Sequence, residues 1–175
     1  MMKDVLEKAS RIRLVIFDID GVLTDGNLYL GNNGEELKTF NIKDGLGIKL
    51  LMQSGVEVGV ITGRSSKLVA QRMESLGVKY VYQGRHEKLP AYQELLTKLE
   101  LEPEQVAYVG DDLIDLPLMR RTGFAVAVQD AHSLVKQHAH WQTTLAGGQG
   151  AAREVCELLM KAQGTLDEAY QAFLE

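Results

Sequence analysis

Cysteine, proline and tryptophan are scarce in this chain of 175 residues: there is one Cys, one Trp and three Pro. A lone Cys156 cannot close an intrachain disulfide, so a core must hold the fold, as suits a reducing, cytoplasmic setting. On a helix, Cys156 reads as a small apolar filler. No apolar run approaches transmembrane length, and the opening MMKDVLEKAS lacks the apolar centre of a secretory signal. Positive charge is short as well. Nineteen Lys and Arg against 24 Asp and Glu leave a formal net charge of −5, which argues against a general binder of nucleic acid or of membrane surfaces. An anionic small molecule would need a local cluster of cations to offset that field. What is present is an ordinary globular mixture, 45% hydrophobic and 25% charged, at a length expected for one soluble domain over residues 1–175.

Short β-rich runs alternate with longer segments of helical period. The runs Arg13–Asp18, Val56–Ile61, Val78–Tyr82, Gln105–Val109 and Phe124–Val128 predict strands, with a weaker one near Trp141–Thr143. Helical spacing covers Gly45–Ser54, Ser65–Leu76, Lys88–Leu99, Asp112–Arg121, Ala131–His138 and Ala151–Gln163. Gly55, Gly77 and Gly123 each follow a helical segment, where a left-handed C-cap is wanted. Alternation of this kind implies a Rossmann-like three-layer α/β sandwich with a central parallel sheet. One segment breaks it. Asn27–Phe40 reads as two strands about the turn Gly31-Asn-Asn-Gly34, a β-hairpin insertion with five apolar side chains, Leu28, Tyr29, Leu30, Leu37 and Phe40. So apolar a ribbon should pack on something, a neighbouring subunit included.

The first predicted strand runs into FDIDGVLTDG (17–26), which places Asp18 and Asp20 where an apolar strand ends and Asp25 close behind. Burying carboxylates together is expensive unless something pairs them. Three more strand ends carry chemistry: Thr62 in VITGR, Lys88 in GRHEKLPAY, and Asp111, Asp112 and Asp115 in VGDDLID. Adjacent strands lie ~4.8 Å apart, so groups on their carboxyl ends can share one small ligand. Oxygen-only ligands suit a hard cation such as Mg²⁺, which keeps few carboxylates and leaves room for phosphate. At an effective dielectric of ~20, a phosphate charge ~4 Å from a carboxylate costs roughly 4 kcal/mol. A cation between them, with the Lys88 ammonium, reverses that sign. Each residue alone has a plainer explanation in turn, cap or surface chemistry; the ordered set of four does not. Three histidines, His132, His138 and His140, lack a fourth ligand for a transition metal and read as surface residues.

The order D-x-D-G-V-L-T-D-G, I-T-G-R, a lone Lys and G-D-D-x-x-D resembles the four motifs of the haloacid dehalogenase superfamily of phosphohydrolases. FNIKDG (40–45), EKLPAYQELL (87–96) and AYVGDDLIDLPLM (107–119) extend the likeness to its phosphatases of phosphorylated eight- and nine-carbon sugar acids. That resemblance implies Asp18 as the nucleophile and Asp20 as the acid and base. It implies Mg²⁺ held by Asp18, the Asp20 carbonyl and Asp111, and Thr62 and Lys88 on the phosphoryl oxygens. Asp112 and Asp115 would stand behind the ligands and steady them. Asn41, Ile42, Lys43, Asp44, Gly45, Lys49, Arg64 and Arg72 match the sugar-acid contacts in position, together with Asp20 and Lys88. Only 41 residues separate Asp20 from Thr62 and 25 separate Thr62 from Lys88, so no cap domain fits. A capless site implies closure by a neighbouring subunit, and the resemblance implies a homotetramer. GGQGAAREV (147–155) resembles a tail that approaches a neighbour's site, with Arg153 as an anion contact. The competing reading from a different class is a receiver-like phosphoacceptor module, which lacks an acid two residues past its acceptor.

Overall fold

The computed structural model describes residues 2–175. In chain order the elements are α1 (Met2–Ser10), β1 (Leu14–Phe17), the hairpin strands β2 (Tyr29–Leu30) and β3 (Glu36–Leu37), and α2 (Ile42–Gln53). Then follow β4 (Glu57–Ile61), α3 (Lys67–Leu76), β5 (Tyr80–Tyr82), α4 (Lys88–Leu99), β6 (Val106–Gly110) and α5 (Leu116–Met119). The chain closes with β7 (Phe124–Ala127), α6 (Ser133–His138), β8 (Trp141–Gln142), α7 (Ala151–Ala162) and α8 (Leu166–Gln171).

Six strands form one parallel sheet in the order β5-β4-β1-β6-β7-β8. Its central strands are buried along their length, which is why LVIF in β1 and FAVA in β7 read as unbroken apolar runs rather than alternations. From β1 the chain builds outward through β4 to β5, then returns to place β6 on the other side of β1. Because crossovers are right-handed, reversing direction along the sheet moves the helices to the opposite face. α2 and α1 thus pack on α7, while α4, α5 and α6 pack in sequence on the other side. α7 shows the helical logic most plainly: Ala151, Ala152, Val155, Cys156, Leu159 and Met160 form its buried stripe.

Several boundaries differ from the sequence expectation. The helix expected over 112–121 is a 3₁₀ turn, Leu113–Asp115, followed by the single turn of α5, with Pro117 in its first positions. α1 and α8 were not foreseen, because α1 buries only Val5 and Ala9 and α8 buries nothing fully, leaving little apolar period to read. Gly55 and Gly77 take the positive φ expected of them and Gly123 does not. Its position is tight for another reason, since a Cβ there would lie 2.5 Å from the Glu104 carbonyl. Two of the surface histidines have structural work: Nδ1 of His132 caps α6 by accepting the Leu134 N–H, and Nδ1 of His140 accepts the Ala125 N–H.

The GGQG segment is docked on its own chain, not extended as a tail. The Gly148 N–H donates to the Val22 carbonyl (2.9 Å) and the Gly147 N–H to Asp130 Oδ1 (2.9 Å). Arg153 begins α7 rather than reaching outward: its N–H donates to Asp44 Oδ1 (2.9 Å) and its Nε to Glu157 (2.5 Å). This loop therefore braces the turn that follows Asp20. A Cβ on Gly147 would fall 1.7 Å from the Gly21 carbonyl oxygen, backbone against backbone. Gly147→Ala is expected to cost roughly 1–3 kcal/mol of stability as overpacking, which urea unfolding of the variant beside the parent measures.

Candidate active site

β1 lies where the strand order reverses, with β4 on one side and β6 on the other, so the residue that follows it sits at the topological switch point. That residue is Asp18. Phe17 is in register with Val60 and Val109, and Thr62 and Asp111 each directly follow their own strand. The Asp18 N–H donates to the Val109 carbonyl (3.0 Å), which continues the ladder for one residue and fixes the carboxylate's starting point. Asp18, Thr62, Lys88 and Asp115 are all buried. One oxygen from each of Asp18, Asp111 and Asp115 lies within 4.8 Å of the others.

Lys88 is the first residue of α4, where the helix dipole disfavours a cation. Two carboxylates hold it there: Nζ is 2.8 Å from Asp18 Oδ1 and 2.7 Å from Asp115 Oδ1. Its third proton reaches the Tyr108 hydroxyl at 3.1 Å. Burial works against the ammonium, yet Asp18 and Asp115 more than offset it and raise the Lys88 pKa above the ordinary lysine value. Tyr108, wholly buried on β6, donates to Asp115 Oδ1 (2.6 Å). The sequence reading missed Tyr108, since an aromatic inside a strand is the commonest of core residues.

Asp115 has no oxygen to spare. Oδ1 serves Lys88 and Tyr108, while Oδ2 accepts the N–H groups of Asp111 (2.9 Å) and Asp112 (3.2 Å). Asp112 turns back to accept the Leu113 N–H and caps the 3₁₀ turn. Both residues thus brace the loop that presents Asp111. Asp111 differs: its Oδ1 is buried and no hydrogen-bond donor reaches it. Burial, then the charges of Asp115 and Asp18, push its pKa up to about 8. Burial and then Asp115 raise Asp18 as well, with Lys88 opposing. Two crowded carboxylates, one with an unpaired buried oxygen, fit a hard divalent cation, and Mg²⁺ matches an all-oxygen donor set. Gly21 makes room beside Asp111. It takes φ +92°, and a Cβ there would collide with Asp111 Oδ2.

Asp20 is three residues past the end of β1. Lys38, from the foot of the hairpin, places Nζ 2.5 Å from Asp20 Oδ1 and 3.3 Å from Glu36 Oε1, with its own side chain 2% exposed. Arg64 reaches the same Glu36 oxygen at 3.0 Å. Lys38 was not foreseen either: a lysine at the end of an exposed ribbon reads as solvated. Asp25 stands outside this group, since its carboxylate takes the Asn27 N–H and the Tyr29 hydroxyl and ties the hairpin base.

The sugar-acid contacts are dispersed. Arg64 joins the rim through Glu36, and Ile42 and Lys43 are exposed on the first turn of α2. Asn41 is committed as the α2 N-cap, accepting the Lys43 (2.8 Å) and Asp44 (3.3 Å) N–H groups. Asp44 and Gly45 face inward; Asp44 holds the start of α7, and Gly45 lies against Arg72, whose guanidinium stacks over Phe40. Lys49 is two turns down α2 beside Glu57, at the amino end of β4. α2 runs antiparallel to the strands, so each turn carries a residue ~5.4 Å farther from the site.

Residues 80–155 match the family described as haloacid dehalogenase-like hydrolase. The chain is 57% identical over 166 residues to the 3-deoxy-D-manno-octulosonate 8-phosphate phosphatase of Escherichia coli K12, covering 95% of this chain and 88% of that protein. The crystal structure of the Yersinia pestis phosphatase of the same name superposes with a TM-score of 0.93 at 53% identity, over 94% of this chain and 89% of that one. The Moraxella catarrhalis phosphatase, solved in complex with magnesium ion, phosphate ion and KDO, superposes with a TM-score of 0.96 at 41% identity over 100% of both chains.

A carboxylate whose pKa is raised on folding stabilises the fold below its unfolded value and loses that contribution as pH rises through the folded value. For Asp111 the window runs from the ordinary 3.8 to about 8, and Asp18 adds in the same direction. Metal-free protein is therefore expected to lose stability from these two groups as pH rises across that range. Saturating Mg²⁺ is expected to flatten the slope, by binding the ionised form. Thermal unfolding at a series of pH values, with EDTA or with Mg²⁺, measures it; identical slopes would remove the cation site.

Proposed function

The chain belongs to the haloacid dehalogenase-like hydrolases, among the 3-deoxy-D-manno-octulosonate 8-phosphate phosphatases, and from that membership we propose that it hydrolyses this sugar-acid ester to 3-deoxy-D-manno-octulosonate and inorganic phosphate. The observation that carries the chemistry is the buried Lys88 ammonium set against Asp18, with Asp111 alongside and unpaired. The Moraxella relative, bound to magnesium, phosphate and KDO, supports the same ligand set here.

In this reading Asp18 attacks phosphorus, the ester bond breaks, and the departing sugar oxygen takes a proton from Asp20. Asp20, now a carboxylate, removes a proton from water, which attacks the aspartyl-phosphate and returns Asp18 as a carboxylate with phosphate released. Thr62 and Lys88 hold the phosphoryl oxygens. Asp18, the Asp20 carbonyl and Asp111 would hold Mg²⁺, which when bound neutralises charge between carboxylate and phosphoryl group. Asp115 and Tyr108 keep Lys88 in place. Asp20 also separates this reading from a receiver module, because an acid beside the phosphorylated residue favours prompt hydrolysis.

We further propose a single-domain cytoplasmic enzyme of lipopolysaccharide assembly that works as a homotetramer. Leu28, Tyr29, Leu30 and Leu37 are 40–70% exposed on the hairpin, an apolar group that a second copy would cover. A neighbouring subunit would then supply the walls that a capless site lacks.

Two measurements check these points. The eight-carbon ester is expected to show kcat/KM roughly tenfold or more above a nonulosonate 9-phosphate, with turnover lost in Asp18→Asn while the fold persists. Better use of the nine-carbon ester would move the assignment to that class, and active Asp18→Asn would remove the nucleophile. For assembly, Leu30→Lys combined with Leu37→Glu is expected to yield a smaller species by sedimentation and a lower kcat/KM.

A further inference from the structure

We propose that Lys38 is the positioning residue of Asp20, holding one carboxylate oxygen so that the other stays free for the proton transfers of both chemical steps. This rests on the reading of Asp20 as acid and base. Lys38 comes from the foot of the hairpin, so the one insertion in the sheet's alternation supplies a working part of the site.

Three observations carry it. The Lys38 side chain is 2% exposed although it belongs to a ribbon whose neighbours Leu37 and Thr39 are open to solvent. Lysines are rarely hidden to that degree unless paired, because an ammonium withdrawn from water is costly. Its partners are two carboxylates, Asp20 Oδ1 at 2.5 Å and Glu36 Oε1 at 3.3 Å, and Arg64 holds Glu36 from the other side at 3.0 Å. Second, Lys38 is the only side chain among the described residues that hydrogen-bonds the Asp20 carboxylate. Asp20 is a quarter exposed, so without Lys38 its side chain would be free to rotate toward water. Third, the pair ties a strand-end loop to an inserted ribbon 18 residues later, a separation that fixes the geometry only once the hairpin has closed.

The consequence is kinetic. A group that first gives and then takes a proton must occupy the same place twice, and a displacement of ~1 Å in such a group can cost on the order of 10²-fold in rate. The loss should depend on the leaving group. A sugar alkoxide needs a proton as it departs; p-nitrophenolate does not, being a stable anion. A side chain that only stabilises the fold would slow both esters alike.

The test uses rapid-quench single turnovers of full-length enzyme with Mg²⁺, comparing 3-deoxy-D-manno-octulosonate 8-phosphate with p-nitrophenyl phosphate. In Lys38→Met, first-step cleavage of the sugar ester is expected to fall roughly tenfold or more, while the p-nitrophenolate burst stays within about twofold of the parent. Lys38→Arg is expected to recover most of the lost rate. Lys38→Gln is the second variant if Lys38→Met does not fold, with the same pattern expected. Equal slowing of the two esters, or no slowing of the sugar ester, overturns the proposal. Asp20→Asn run alongside separates the two levels. If it too fails to discriminate between the esters, the acid–base reading of Asp20 is at fault; if it discriminates and the Lys38 variants do not, only Lys38 is.

Discussion

A lysine held between two buried carboxylates is the contact on which this site depends. Lys88 stands at a helix start, against the dipole, with almost no access to water. Neither a cation there nor the acids around it would be tolerable alone, since a buried charge stripped of its partner typically costs 3–5 kcal/mol. Together they close a network in which each ammonium proton has an acceptor and each Asp115 oxygen has two donors. The network is also a framework. It links β1, the β6 loop and α4, three elements that the chain reaches at widely separated points.

The parallel sheet is what makes that linkage possible. Phe17 is level with Val60 and Val109, so residues leaving the three strands emerge at one height. Strand edges set their lateral spacing, and the reversal of strand order at β1 opens the crevice between the two sets of crossover loops. Behind the crevice, the GGQG loop fills the space under the Gly21 turn, and Asp44 anchors the helix that follows. A region that looked free in the sequence is thus a brace, and Asp44, which matches a ligand contact in position, also anchors a helix.

What could be read in the sequence follows from how local each signal is. Strands buried on both faces announce themselves as short apolar runs, and polar residues directly past them, Asp18, Thr62 and Asp111, are conspicuous, with Lys88 at the start of the helix after β5. Their partners are not. Tyr108 belongs to β6 and looks like core until its hydroxyl is seen on Asp115. Lys38 lies 18 residues from Asp20, in a ribbon whose two strands pair for only two residues each. Nothing in the spacing of either residue foretells its contact. Of the positions that match sugar-acid contacts, Lys49 lies two turns along α2, which runs antiparallel to the strands.

The site is electrostatically complete on one side and incomplete on the other, and that asymmetry is its most informative property. Toward α4 every polar atom of Asp115 is satisfied, and the Lys88 charge is matched. Toward Gly21, Asp111 keeps a buried oxygen with no donor, and its carboxyl is driven above its ordinary range by burial and by its acidic neighbours. A fold selected only for stability would have filled that gap with a donor or an apolar side chain, either of which is cheaper than crowding acids. Lys88 does not meet that oxygen: its ammonium is turned to Asp18, Asp115 and Tyr108. The remaining negative charge must therefore be met by something that arrives from solution, carries more than one positive charge and accepts oxygen ligands. Protein and cation together then form the positive cradle that a chain of net charge −5 lacks on its own.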